Sequence, residues 1–179
     1  MKTMDYVVYV PVEGQLAGEV DFWRRVWGLR ERALAPHCTL FYGSFSERDE
    51  WEMRESLASI VQHSFPARLD GLALFDNDAV VSRVRPDSDL TVLHYKVAER
   101  LKVFAKKEVP PKDEALVPAY AEFGWGYAGE NWSPHVTVGY GFLRGSESPL
   151  EGRSFRVGEI VLARRNGSWQ DVARYFLRD

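Results

Sequence analysis

Pro36-His37-Cys38-Thr39-Leu40 and Pro134-His135-Val136-Thr137-Val138 write one pattern twice: proline, histidine, any residue, threonine, aliphatic. The chain has only four histidines and four threonines, so chance placement would supply roughly 0.1 His-x-Thr pairs. Both copies lie in β-like stretches, where side chains at i and i+2 share a face. Each copy therefore offers an imidazole beside a hydroxyl, while Cys38, Leu40, Val136 and Val138 turn toward apolar packing. Set side by side, two such strands would floor a cleft with two imidazoles and two hydroxyls, a set suited to phosphate chemistry.

One neutral imidazole can take a proton from an attacking water or hydroxyl while the other, protonated, gives one to the leaving oxygen. An unperturbed pKa of ~6.5 lets both forms exist near neutrality. Thr39 and Thr137 would donate hydrogen bonds to the non-bridging oxygens and hold the phosphorus in line. A phosphodiester carries a single charge and the donors are already placed, so no metal or other cofactor is expected. Three rival readings are weaker. Zinc requires three or four His, Cys or carboxylate ligands, whereas Cys38 faces away from His37 and no acidic residue lies within three positions of either histidine. A Cys38 nucleophile would need an exposed, electropositive setting, and strand alternation turns it inward. Two ordinary polar strand segments would explain either motif alone, but not the pair with both prolines.

The duplicated H-x-T resembles the signature of the two-histidine (2H) phosphoesterases, the superfamily of 2′–5′ RNA ligase-like and cyclic phosphodiesterase enzymes, and the element order around both motifs fits as well. The resemblance implies that His37 and His135 are the acid–base pair and that Thr39 and Thr137 hold the phosphate. Its activities centre on 2′,3′-cyclic nucleotides, RNA ends, 2′–5′ linkages and other cyclic phosphodiesters, and some phage members cleave cyclic oligonucleotide signals. Expected partners are accordingly a nucleotide, a cyclic oligonucleotide or an RNA end. Both motifs are intact, with Val138 a conservative variant at a packing position. A nucleotide- or RNA-binding module without turnover is the non-enzymatic alternative.

The elements that must position the motifs follow from periodicity. Tyr6 to Val12 reads as a strand, Gly18 to Leu29 as a helix carrying Arg24, Arg25 and then Arg30 and Arg32, and Pro36 to Phe45 as the first motif strand. The arginines read as a solvated face, or as a rim attracting phosphate. Ser46 opens a helix expected to run to about Gln62. Strands 67–75 and 79–84 follow around Asp76-Asn77-Asp78, then a helix with Leu90, Leu93, Val97, Leu101 and Phe104 on one stripe. His63 past the second helix and His94 on the flank of that stripe read as structural. Residues 105–133 read as a long loop dense in glycine and aromatics, and Ser133 to Phe142 as the second motif strand. A turn from Arg144 follows, then a hairpin of Phe155–Arg164 and Trp169–Leu177 about Asn166-Gly167. The fold expected is α+β over residues 1–179: two pseudo-symmetric lobes, each an antiparallel sheet with helices outside, around a central cleft carrying both motifs.

For substrate choice, Phe41 and Gly139 continue the His–Thr face and should border the cleft. Tyr9 or Tyr6 could join from the first strand. Trp125, Tyr127 and Trp132 could stack on a base, a contact worth ~1–3 kcal/mol, or pack the loop onto the body. A net charge of −3 argues against coating long nucleic acid by bulk attraction. A single cysteine forms no internal disulfide and fits a reducing compartment. No apolar run approaches the ~20 residues of a membrane span, so a cytoplasmic monomer is expected.

Overall fold

A computed structural model describes residues 3–28, 34–75, 77–141 and 148–179. In chain order the regular elements are β1 (Thr3–Pro11), α1 (Gly14–Val26), β2 (His37–Ser46), α2 (Glu50–Ala58), β3 (Phe65–Leu74), β4 (Ala79–Val84), α3 (Ser88–Leu101), α4 (Val117–Phe123), β5 (His135–Tyr140), β6 (Ser154–Val157), β7 (Glu159–Asn166) and β8 (Ser168–Phe176). Among the described residues the strands form one eight-stranded antiparallel sheet in the order β6-β3-β4-β5-β2-β1-β7-β8. The fold is α+β.

The two motif strands sit at the centre of that order and divide it into two four-stranded halves. Each half contains the same unit, a strand, a crossing helix and the neighbouring antiparallel strand: β1-α1-β2 in one, β4-α3-β5 in the other. The halves meet through one register pair, Cys38 opposite Val136. Only Gly158 separates β6, which pairs with β3, from β7, which pairs with β1. The two flanks of the sheet must therefore approach one another, and the sheet curls.

The main core fills the space between the sheet and α1, α2 and α3. β1 is buried on both faces: Tyr6, Val8 and Val10 enter the main core, while Val7 and Tyr9 join Val161 and Ala163 in a smaller cluster on the other face. α3 starts where Asp87 accepts a hydrogen bond from the Leu90 amide at 2.8 Å, and it buries Leu90, Leu93, Val97 and Leu101.

Several boundaries differ from the sequence reading. α1 begins at Gly14, ahead of the first periodic apolar residue. α2 ends at Ala58 because the chain then turns extended to meet the C-terminal strand, with Ser64 donating to the Arg178 carbonyl at 2.7 Å. The expected loop holds a short helix, α4: Pro118 lies in its first turn, where a missing N–H costs nothing, and Gly124 ends it at φ 77°. The stretch read as one strand from Phe155 is two, broken at Gly158. The expected helix end at Leu29, Arg30, Arg32, Asp76, the strand end at Phe142 and the first part of the turn from Arg144 lie outside the described residues.

Candidate active site

The Cys38–Val136 pair fixes how the two motifs meet. One step along each antiparallel strand sets His37 across from Thr137 and Thr39 across from His135, all four on the face opposite Cys38 and Val136. The histidines are then diagonal neighbours, with roots about 7–8 Å apart. Cys38 and Val136 are fully buried behind them, and burial pushes the Cys38 thiol up to about 12, which suits packing and not attack.

Both rings are held by the same local device. His37 Nδ1 lies 2.7 Å from the Ala35 carbonyl and His135 Nδ1 lies 2.8 Å from the Ser133 carbonyl. A carbonyl can only accept, so in each ring Nδ1 carries the proton and Nε2 is the acceptor nitrogen of the neutral ring. The proline between explains the geometry: it fixes φ and biases its predecessor toward an extended backbone. Its own carbonyl is anchored too, Pro36 accepting from Val12 N and Pro134 from Val84 N, each at 2.9 Å. An aromatic ring flanks each imidazole, Tyr9 at 4.9 Å from His37 and Phe75 at 4.7 Å from His135. The Tyr9 hydroxyl donates to Asp171 at 2.8 Å, and burial, reinforced by that carboxylate, raises the phenol above its ordinary pKa.

A cavity of about 540 Å³ opens over one residue of each motif, Thr39 and His135, and is lined as well by Phe75, Trp125, Tyr127 and Trp132 among others. Its volume falls within the range of small-molecule sites. Trp132 is fixed in the wall by its indole N–H, which donates to the Thr39 carbonyl at 3.0 Å, and by stacking on His94 at 4.2 Å and 4°. His94 is buried, and desolvation lowers its pKa to about 4. It is neutral at pH 7, bonded at Nδ1 to the Leu40 carbonyl and at Nε2 to the Gly129 amide.

The structure brings His37, Thr39, His135 and Thr137 together, and Tyr127 and Trp132 line the cavity beside them. Phe41 requires a correction. The register of β1 on β2 slips after Thr39, so Leu40 is an extra, bulged residue and simple alternation stops there. Phe41 is wholly buried against Phe45 and Trp125 and reaches the cavity only through the latter. Tyr9 shares the face of His37 but backs that ring instead of lining the cavity. Arg24, read as part of a solvated face or of a phosphate-attracting rim, is 6% exposed. Phe75 was missed because its stretch read only as a strand end before a turn. Among the described residues no group of three or more His, Cys, Asp or Glu could hold a metal ion, and no helix is long and apolar enough to cross a membrane.

Residues 12–169 match the family model of the 2'-5' RNA ligase superfamily. A search of the curated proteins finds no match. Among solved structures the chain is similar to a crystal structure described as a phosphoesterase, at 18% identity and TM-score 0.72, covering 99% of this chain and 100% of that one. It is similar to Escherichia coli LigT complexed with 3'-AMP, at 17% identity and TM-score 0.72 with the same coverage. TT0787 of Thermus thermophilus follows at 17% identity, TM-score 0.68 and 98% of each chain. At these identities the likeness speaks for the fold.

Proposed function

The chain belongs to the 2'-5' RNA ligase superfamily of two-histidine phosphoesterases, and we propose on that premise that it is a metal-independent phosphodiesterase. Its substrate is a cyclic phosphate or a 2′–5′-type phosphodiester of a nucleotide or RNA end. The observation that carries this reading is the antiparallel register that sets each histidine across from the other motif's threonine, with Thr39 and His135 lining one cavity.

One Nε2 takes the proton of the incoming water or hydroxyl as its oxygen bonds to phosphorus. The opposite Nε2–H gives a proton to the departing oxygen as the P–O bond breaks. Thr39 and Thr137 donate their hydroxyl hydrogens to the non-bridging oxygens, where negative charge grows. Each transfer of this kind contributes roughly 10²–10⁴-fold. Trp125, Tyr127 and Trp132 offer ring faces and edges to a base beside the phosphate. That LigT was crystallised with 3'-AMP supports a nucleotide phosphate as ligand here. The family, the two intact motifs and the cavity support a catalyst over a mere binding module.

The test incubates the protein with 2′,3′-cyclic mononucleotides, RNA ends bearing cyclic phosphates, 2′–5′ dinucleotides, and cyclic di- and trinucleotides, with and without EDTA. Ring opening or cleavage that survives EDTA is expected, with the mononucleotide-sized substrates preferred by a cavity of this volume. Cleavage confined to cyclic oligonucleotides would instead identify a nuclease of signalling molecules. Binding without product across the panel would leave only a module, and activity lost with EDTA would refute the mechanism.

A further inference from the structure

The two motifs share a feature beyond the His-x-Thr pattern. In the first, Val8 pairs with Phe41 and Tyr9 with Thr39, so Leu40 is unmatched. In the second, Val80 pairs with Gly139 and Val81 with Thr137, so Val138 is unmatched. Each threonine is thus followed at once by a bulge. A bulge sharpens local twist, re-aims the neighbouring side chain and takes a backbone group out of the ladder. A buried carbonyl freed in this way needs another donor.

Both receive one from a buried side chain on a helix of the opposite half. His94, on α3 between β4 and β5, donates from Nδ1 to the Leu40 carbonyl of β2 at 2.7 Å. Arg24, on α1 between β1 and β2, donates from Nε to the Val138 carbonyl of β5 at 2.5 Å. His94 is 0% and Arg24 6% exposed. Burying a guanidinium carries a large desolvation penalty, which packing alone would not call for. The donors differ in chemistry and the attachments cross between halves, yet the target is the same position of each motif.

We propose that Arg24 and His94 are positioning residues: each braces, from the other half of the molecule, the bulge that follows a motif threonine, and so sets the aim of His135 with Thr137 and of His37 with Thr39. This rests on the phosphodiesterase reading, and it deepens that reading by tying the two half-sites to one another. His94 has a second attachment. Its Nε2 accepts from Gly129 N at 2.9 Å and its ring stacks on Trp132, so it also holds the aromatic wall. Arg24 has no contact of that kind, its other charged partner being Asp21 on its own helix at 3.0 Å. The two braces therefore carry different kinetic signatures.

Arg24→Met removes one donor at similar volume, and His94→Leu removes the other. The first should lower kcat at least tenfold with KM within twofold. The second should lower kcat comparably and raise KM several-fold, because the wall loosens as well. His94→Gln, whose amide can donate to Leu40 and accept from Gly129, should recover kcat to within about threefold. Backbone amide resonances provide a readout independent of turnover. Arg24→Met should shift residues 137–139 and spare 39–41, although Arg24 belongs to the first half, and His94→Leu should do the reverse. If the apolar variants fail to fold, Arg24→Lys and His94→Asn, which keep a donor of altered reach, should show the same crossed shifts. Shifts confined to the helix's own half would overturn the proposal, as would kcat within twofold of wild type in both apolar variants beside a merely lowered Tm. Should wild type turn over nothing in the substrate panel, the phosphodiesterase reading fails. The crossed resonance shifts would then still decide the braces.

Discussion

The two motif copies use one local design in unequal surroundings. Both histidines are tied at Nδ1 to the carbonyl two residues back, across a buried proline. Their exposure differs. His37 is 4% exposed and Thr137 5%, while His135 and Thr39 are half-buried and line the cavity. The cause lies in the flanking strands. The face of the first half carries the cluster of Val7, Tyr9, Val161 and Ala163, and Tyr9 lies against the His37 ring. On the second half, Phe75 flanks His135 but is itself part of the cavity wall. Because each histidine faces the other copy's threonine, the inner pair is His37 with Thr137 and the outer pair is His135 with Thr39. Covering a whole half would have hidden one entire motif; crossing the pairs leaves one group of each motif open to a ligand.

The most severe test of that equivalence removes each ring in turn. His37→Ala and His135→Ala should each lower kcat by about 10²–10⁴-fold, and the double variant should be hardly worse than either single, since the two act as one unit. A His37→Ala enzyme retaining a tenth of wild-type kcat would make the inner copy scaffold. Next come the hydroxyls. Thr39→Val and Thr137→Val keep volume while deleting a donor, and each should cost roughly 10²-fold in kcat. A loss at Thr39 alone would show that the buried hydroxyl never meets the phosphate.

Acid should loosen the brace of the first copy. His94 has its folded pKa lowered to about 4 by burial, below the unfolded value of ~6.5. On acidification the unfolded chain therefore binds the proton first. The stability contributed by neutral His94 is complete above about pH 6.5 and is lost as pH falls toward 4, up to roughly 3 kcal/mol. The urea midpoint of wild type should thus fall relative to that of His94→Gln as pH drops from about 6.5 to about 4. A constant difference would contradict a buried neutral ring. The smallest effect is one of access: diethyl pyrocarbonate should modify His135 faster than His37, with exposed His63 as reference. Equal rates would dissolve the distinction between inner and outer pairs.

Much of this was legible in the residues. The repeated His-x-Thr, its β context and the period-2 rule were enough to put four side chains on one floor, and the Asn166-Gly167 turn appears where expected, with Gly167 at φ 74°. What could not be read arises from tertiary constraint. Phe41 looked like a cleft residue because alternation is local, whereas the bulge at Leu40 is set by pairing with β1. Arg24 looked like part of a solvated face or of a phosphate-attracting rim because nothing near it in sequence announces that it caps a carbonyl 114 positions away. The break at Gly158 looked like an interior glycine, since one strand serving both flanks is a property of the closed curl and not of the segment.

The most direct measurement follows the ring nitrogens of His37 and His135 by NMR while inorganic phosphate is added. If both rings grip one anion, the two Nε2 signals move together along a single binding curve, and Thr39→Val or Thr137→Val weakens both at once. Movement of one ring alone, or two curves with separate midpoints, would mean that the histidines do not share a phosphate.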